Sequence, residues 1–272
     1  MDWKEKLHTI TQTNNSILCV GLDSDFDKIP KTLKESSKHP LLDFNKAIIE
    51  ATKDLVCAYK LNMAFYEVLG KKGMSDLEHT VRLIPKNIFI ILDGKRNDIG
   101  NTAQKYAQSL FDTYKADAIT INPYLGKDGI QPFLDYKDKC SFILCRTSNP
   151  SARDFQDLTI ASRPLYQVVA EKIKEWNTNQ NCGAVVGATY PEELKTVRTI
   201  LGNDIPILIP GIGKQGGDLE KTVKNGTNTS GDMALINSSR EIIFAGEGDD
   251  FVTLARQKAE SVRTMINTYR KT

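Results

Sequence analysis

Short apolar runs recur along the chain, at 17–22, 56–61, 88–92, 118–121, 141–145, 182–186, 207–209 and 234–237. Runs of this length, rich in Val, Ile, Leu and Ala and bounded by polar or turn residues, are the trace left by strands buried on both faces. Between them, apolar positions fall three and four residues apart over 43–53, 75–83, 102–114, 165–176, 191–201 and 217–225, which predicts helices there. A last helical stretch covers 251–269. Strand and helix alternate through eight units, and 272 residues suit that count. The expected fold is α/β, a (β/α)8 TIM barrel, rather than an open doubly wound sheet. No Gly/Ser linker or low-complexity segment divides the chain, so residues 1–272 are expected to form a single domain. Two β-to-α connections, 28–42 and 147–164, are long enough to be walls or lids at the barrel mouth.

Composition narrows the function. The chain is 40% hydrophobic and 26% charged, and 36 Lys and Arg against 34 Asp and Glu leave a net charge of +2. That balance argues against a nucleic-acid surface and offers no polybasic membrane patch. No apolar run approaches the roughly 20 residues of a membrane span. The opening Met1-Asp2-Trp3-Lys4-Glu5-Lys6 lacks the apolar core of a signal peptide. Cys19, Cys57, Cys140, Cys145 and Cys182 are odd in number, lack metal-ligand spacing and lie mostly in apolar runs. They read as reduced thiols of a cytoplasmic protein. The three histidines provide neither a zinc site nor a Ser-His-Asp arrangement.

Strand ends carry the chemistry, because a barrel brings them together at one mouth. The third strand opens into Asp93-Gly94-Lys95-Arg96-Asn97-Asp98. Alternation along a strand puts Asp93 and Lys95 on the same side. Lys60, inside the apolar second strand, needs a partner carboxylate such as Asp93, since an unpaired buried charge is costly. Asp23 ends the first strand, and Arg146-Thr147-Ser148-Asn149 follow the fifth. After the seventh comes Pro210-Gly211-Ile212-Gly213-Lys214-Gln215-Gly216-Gly217, and after the eighth Ser238-Ser239-Arg240. Glycines admit close approach of backbone N–H groups to an anion, and Arg can grip phosphate with two parallel bonds. Barrels commonly hold phosphate at these last two loops. A phosphorylated small molecule with its reacting centre over Asp93 and Lys95 fits this layout. No Walker sequence, early dinucleotide fingerprint or evident thiol or imidazole nucleophile accompanies it.

The run Asp93-Gly94-Lys95-Arg96-Asn97-Asp98-Ile99-Gly100-Asn101-Thr102 resembles the orotidine 5′-phosphate decarboxylases, in the bacterial form called type 2. So do Gly21-Leu22-Asp23, Tyr59-Lys60-Leu61-Asn62, Arg146-Thr147-Ser148-Asn149-Pro150, Pro210-Gly211-Ile212-Gly213 and Asn237-Ser238-Ser239-Arg240, which together span nearly the whole chain. Gly94 and Asn97 stand where that subfamily has Ala and Gly, between the charged positions. The resemblance implies conversion of orotidine 5′-phosphate to UMP and carbon dioxide without cofactor or metal. It implies Lys95 as proton donor to C6 of the pyrimidine, flanked by Asp93, by Lys60 and by Asp98 of a neighbouring subunit. Asp23 and the neighbour's Thr102 would hold ribose hydroxyls, and Ser148 the pyrimidine edge. Arg240 with backbone amides near Gly211, Gly213 and Ser239 would bind phosphate, Pro210 would line the substrate site beside them, and Gln215 would reach the phosphate from its loop. Shared sites imply a homodimer.

Three rivals make different demands. Magnesium-dependent sugar-phosphate decarboxylases or hexulose-phosphate synthases share the Asp-x-Lys-x-x-Asp pattern but want a carboxylate where Lys60 stands, and that lysine repels a divalent cation. A Schiff-base aldolase would need a neutral amine, and a carboxylate-flanked ammonium is a poor nucleophile. A silent phosphate-binding barrel would bind UMP and release no carbon dioxide.

Overall fold

The computed structural model describes residues 2–212 and 218–270. Eight strands close a parallel barrel: β1 (Leu18–Gly21), β2 (Ala58–Asn62), β3 (Phe89–Arg96), β4 (Ala118–Ile121), β5 (Cys140–Arg146), β6 (Cys182–Val186), β7 (Ile207–Pro210) and β8 (Ala234–Ser238). Each pairs in parallel with the next, and β8 closes on β1 through Leu18 opposite Ile236. The expected (β/α)8 barrel is the fold. Its strand interiors are apolar because β1, β4 and β6 have no exposed face. Barrel side chains point inward or under the helices, and water reaches neither.

The main helices are α1 (Trp3–Thr13), α2 (Pro40–Thr52), α3 (Gly70–Leu83), α4 (Gly100–Ala107), α5 (Lys127–Leu134), α6 (Leu165–Trp176), α7 (Pro191–Leu201), α8 (Leu219–Gly226) and α9 (Phe251–Tyr269). α1 precedes the first strand and lies across the N-terminal end of the barrel. It is capped by Asp2 and buries Trp3, Leu7, Ile10 and Thr11, while Lys6 pairs with Asp117 at 2.6 Å. α9 closes the ring against α2, where Phe44 stacks on Phe251 and Phe244 at 5.3 and 5.5 Å. All five cysteines are buried and free, and burial pushes the thiols of Cys57, Cys145 and Cys182 up to about 12.

Four details differ from the sequence pattern. The expected helix over 102–114 starts at Gly100 and widens into a π-helix from Gln108 to Thr113, burying Leu110 and Phe111. The helix α5 was not legible, because Gly129 and an internal Pro132 interrupt its eight residues. The connection 28–42 is not a plain loop: it holds a helix, Lys31–Ser36, and the start of α2. The connection 147–164 holds a 3-10 turn, Pro150–Asp154, and a two-stranded hairpin pairing Thr159 with Pro164.

Candidate active site

The strand ends meet around a cavity of about 470 Å³ at the C-terminal mouth. Lys60, the third residue of β2, is 3% exposed and sits between two carboxylates. Its Nζ donates to Asp93 Oδ2 at 2.9 Å and to Asp23 Oδ1 at 3.4 Å. Parallel register aligns these groups, with Lys60 opposite Gly21 on β1 and Asn62 opposite Asp93 on β3. On the other side of the same carboxylate, Lys95 Nζ donates to Asp93 Oδ1 at 2.8 Å. The result is a row, Asp23–Lys60–Asp93–Lys95, in which charges alternate. Lys60 is sealed at one end, and the side chain of Lys95 is half exposed to the cavity at the other.

Electrostatics hold the row ionised. Burial alone would favour neutral Lys60, but the carboxylates of Asp23 and Asp93 overrule it and push the lysine above its ordinary range. Burial likewise opposes ionised Asp93, yet Lys60 and Lys95 hold its carboxyl well below the usual carboxylate range. Asp93 also accepts a third bond, from the Thr120 hydroxyl on β4 at 2.8 Å. Lys95 is reached through a break in the ladder: Leu92 pairs with Ile119 and Arg96 with Ile121, so β3 carries extra residues opposite β4. Within this bulge Lys95 takes φ +46°, the left-handed region that costs a side-chain-bearing residue energy.

The remaining polar residues line the opposite part of the cavity. Pro210 ends β7, and Gly211 follows at φ +102°, a conformation that glycine alone adopts comfortably. Ser239 precedes the short helix Arg240–Ile243, so its loop presents backbone N–H groups beside the exposed Arg240. Pro210, Gly211, Ser239 and Arg240 all line the cavity. Ser148 lines it from the loop after β5. It packs so closely on the residue that follows β6 that a Cβ at Gly187 would lie 2.9 Å from the Ser148 Cβ. That loop is anchored from beneath by Arg146, which is 1% exposed. Its guanidinium lies 3.9 Å from the Tyr190 ring centroid, pairs with Asp157 at 3.2 Å and donates to Gln156 at 3.2 Å. Gln156 in turn accepts from the Thr147 backbone N–H and donates to its hydroxyl, each at 2.8 Å. The long connection is therefore a built wall.

Residues 16–250 match the family model for "Orotidine 5'-phosphate decarboxylase / HUMPS family". The chain belongs to that family. An orotidine 5′-phosphate decarboxylase of Dehalococcoides mccartyi is 48% identical over 275 residues, covering 100% of this chain and 99% of the relative. The OMP decarboxylase structure from Leishmania donovani superposes with TM-score 0.86 at 37% identity, covering 99% of both chains. Leishmania donovani UMP synthase gives TM-score 0.88 at 39% identity; 99% of this chain is covered, and it spans 57% of that longer one.

Of the residues expected from the family motif, Asp23, Lys60, Asp93, Lys95, Ser148, Pro210, Gly211, Ser239 and Arg240 face the same cavity. Asp98 and Thr102 do not line it. Asp98 Oδ1 accepts from the Ile99 N–H at 2.8 Å, and Thr102 is exposed on α4. Gly213 and Gln215 lie outside the described residues. Sequence reasoning missed Thr120 and Gln156. Thr120 was detectable as the one polar residue in the run 118–121, the same signal that singled out Lys60. Gln156 sits in a segment without periodicity and gave no signal.

Proposed function

We propose that the chain decarboxylates orotidine 5′-phosphate to UMP and carbon dioxide, the last step of de novo UMP synthesis, with Lys95 as the proton donor. The alternating row ending in a half-exposed ammonium carries this reading. As the bond from C6 to the carboxylate carbon breaks, its electron pair stays on C6 in an orbital the ring delocalises poorly. The Lys95 ammonium stabilises that charge and then delivers its proton to C6; the amine regains a proton from water. Asp93 holds the ammonium in place and, with Lys60 behind it, remains charged while doing so. Ser148 would meet the pyrimidine edge and Asp23 a ribose hydroxyl. Arg240 and the backbone N–H groups of Gly211 and Ser239 would take the phosphate, with Pro210 packing beside it and Gly213 and Gln215 proposed alongside them.

General acid catalysis contributes roughly 10²–10⁴-fold. A preorganised electrostatic contact adds about 3–4 kcal/mol. A difficult decarboxylation needs more, so binding energy from the remote phosphate must organise the site as well. No cofactor or metal enters this scheme. Lys60 occupies the space between Asp23 and Asp93 where a divalent cation would have to bind, which disfavours the magnesium-dependent chemistry of related barrels.

The active assembly in this reading is a homodimer in which Asp98 and Thr102 complete the partner's site. Its support is twofold. Neither residue lines its own cavity, and exposed apolar side chains lie beside them. Ile99, Tyr124, Leu125 and Phe155 are 61%, 80%, 48% and 59% exposed. A Cβ at Gly129 would lie 3.1 Å from both the Asp98 carbonyl oxygen and the Leu125 Cβ, so the two loops adjoin. Exposed apolar surface of this kind marks association sites. No described helix is long and apolar enough to cross a membrane, and buried reduced thiols suit the cytoplasm. The whole chain is taken as one barrel unit without a nucleic-acid surface. The decisive experiment follows the loss of orotidine 5′-phosphate absorbance by the purified protein in excess EDTA. Turnover supports the reading. UMP binding without turnover, or activity restored only by magnesium, would replace it with a silent or a metal-dependent barrel.

A further inference from the structure

Within the bulge that carries Lys95, the backbone ladder between β3 and β4 is interrupted. Leu92 pairs with Ile119 and Arg96 with Ile121, and regular contact resumes where the Asn122 N–H donates to the Arg96 carbonyl at 3.0 Å. Thr120 is the β4 residue left facing the extra residues, and it is 1% exposed. Its side chain replaces the missing ladder bond. The Lys95 backbone N–H donates to Thr120 Oγ1 at 3.0 Å, and Thr120 Oγ1 lies 2.8 Å from Asp93 Oδ1. An amide N–H only donates, so the hydroxyl must accept there and has its single proton to give to the carboxylate. The oxygen receiving that proton is the same Oδ1 that receives Lys95 Nζ at 2.8 Å.

One hydroxyl thus ties down both ends of residue 95, its backbone amide and, through Asp93, its ammonium. We infer that Thr120 is the positioning residue of the proton donor: its hydroxyl holds the left-handed backbone at Lys95 and aims the Asp93 oxygen that aims the ammonium. Thr120 does not line the cavity and has no substrate contact in this scheme. Its effect falls on the placement of a reacting group, where a displacement of about 1 Å costs on the order of 10²-fold in rate. The inference rests on the proposed role of Lys95 and adds the means by which that lysine is held.

The test compares Thr120→Val, which keeps the shape and removes both hydrogen bonds, with Thr120→Ser, which keeps the bonds and removes a methyl group. Lys95→Ala is measured alongside. Thr120→Val should lower kcat by roughly 10–100-fold. The KM for orotidine 5′-phosphate and the Kd for UMP should move by less than about threefold, because ground-state binding elsewhere is intact. Thr120→Ser should retain most of the rate. A valine variant turning over like wild type overturns the inference. So does a serine variant as slow as the valine one, or a valine variant that loses UMP affinity in proportion to kcat. If the valine variant does not fold, the kcat ratio of Thr120→Ser to Thr120→Ala is read against the same expectation. The two readings fail separately. An active Lys95→Ala removes the lysine from its role, whereas an inactive Lys95→Ala beside a fully active Thr120→Val removes only Thr120.

Discussion

Lys60 and Lys95 bind the same carboxylate, yet their removal should have opposite signatures. The side chain of Lys95 is 48% exposed, and without it Asp93 still receives Lys60 at 2.9 Å and Thr120 at 2.8 Å. The lost contact is therefore of the solvent-facing kind, about 0–1 kcal/mol. Alanine is no less at ease than lysine at φ +46°, so Lys95→Ala should shift the unfolding free energy by less than about 1 kcal/mol. Its effect on turnover should be far larger. Loss of the general acid, about 10²–10⁴-fold, combined with one electrostatic contact worth roughly 10²–10³-fold, gives a fall of about 10⁴–10⁷-fold. Lys60 is 4% exposed at its side chain and wedged between Asp23 and Asp93. Lys60→Met leaves two carboxylates close together without the cation between them, which should cost about 3–5 kcal/mol of stability. Urea unfolding supplies the stabilities, and absorbance loss of orotidine 5′-phosphate supplies the rates. Near-normal turnover by Lys95→Ala would refute the assignment of the acid. Equal destabilisation by the two substitutions would refute the account of the row.

Arg240→Ala should weaken UMP by on the order of 10²-fold while leaving uridine nearly unchanged, since a charged hydrogen bond to phosphate is worth about 1.5–3 kcal/mol; calorimetry showing equal losses for both ligands would remove Arg240 from the phosphate site. Lys95→Ala and Asp98→Ala, each inactive alone, should regain about a quarter of wild-type activity when equal amounts exchange subunits, because half the dimers are then mixed and each has one intact site. A mixture as dead as its parts counts against sharing. The folded Asp93 carboxyl titrates below its unfolded value near 3.9, so its contribution exists above that pH and is lost as pH falls toward the folded value. Lys60 titrates above its unfolded value near 10.4, so its contribution exists below that pH and fades as pH rises beyond it. In urea unfolding of the wild type this pair should accordingly add no pH dependence from about pH 5 to 9. A Lys60→Met variant as stable as wild type across that window would contradict the ionisation of the row.

Barrel strands were legible because burial on both faces keeps polar residues few, so 118–121 and 182–186 stand out as largely apolar runs and match β4 and β6 end to end. The same purity made Lys60 conspicuous, and its partner follows from the cost of an unpaired charge. Thr120 escaped notice because threonine is an ordinary strand residue, and only the bulge opposite reveals what its hydroxyl does. α1 could have been found from Trp3, Leu7, Ile10 and Thr11, spaced as one helical face; α5 could not, with Gly129 and Pro132 erasing the pattern. The wall after β5 depends on Arg146 reaching Gln156 and Asp157 across ten and eleven residues, a contact that no local periodicity encodes. Asp98 stood out as the second carboxylate of the run after the third strand and was expected at the mouth, whereas Thr102 came from family resemblance alone; one chain's geometry leaves both outside its own cavity.

The left-handed turn at Lys95 sets a limit on how this protein can be improved. Glycine would relieve roughly 1–2 kcal/mol at that position and would be welcomed by any selection that rewards heat tolerance alone. Such a selection would discard the side chain proposed as the proton donor, so thermostable variants should be sought with position 95 held fixed.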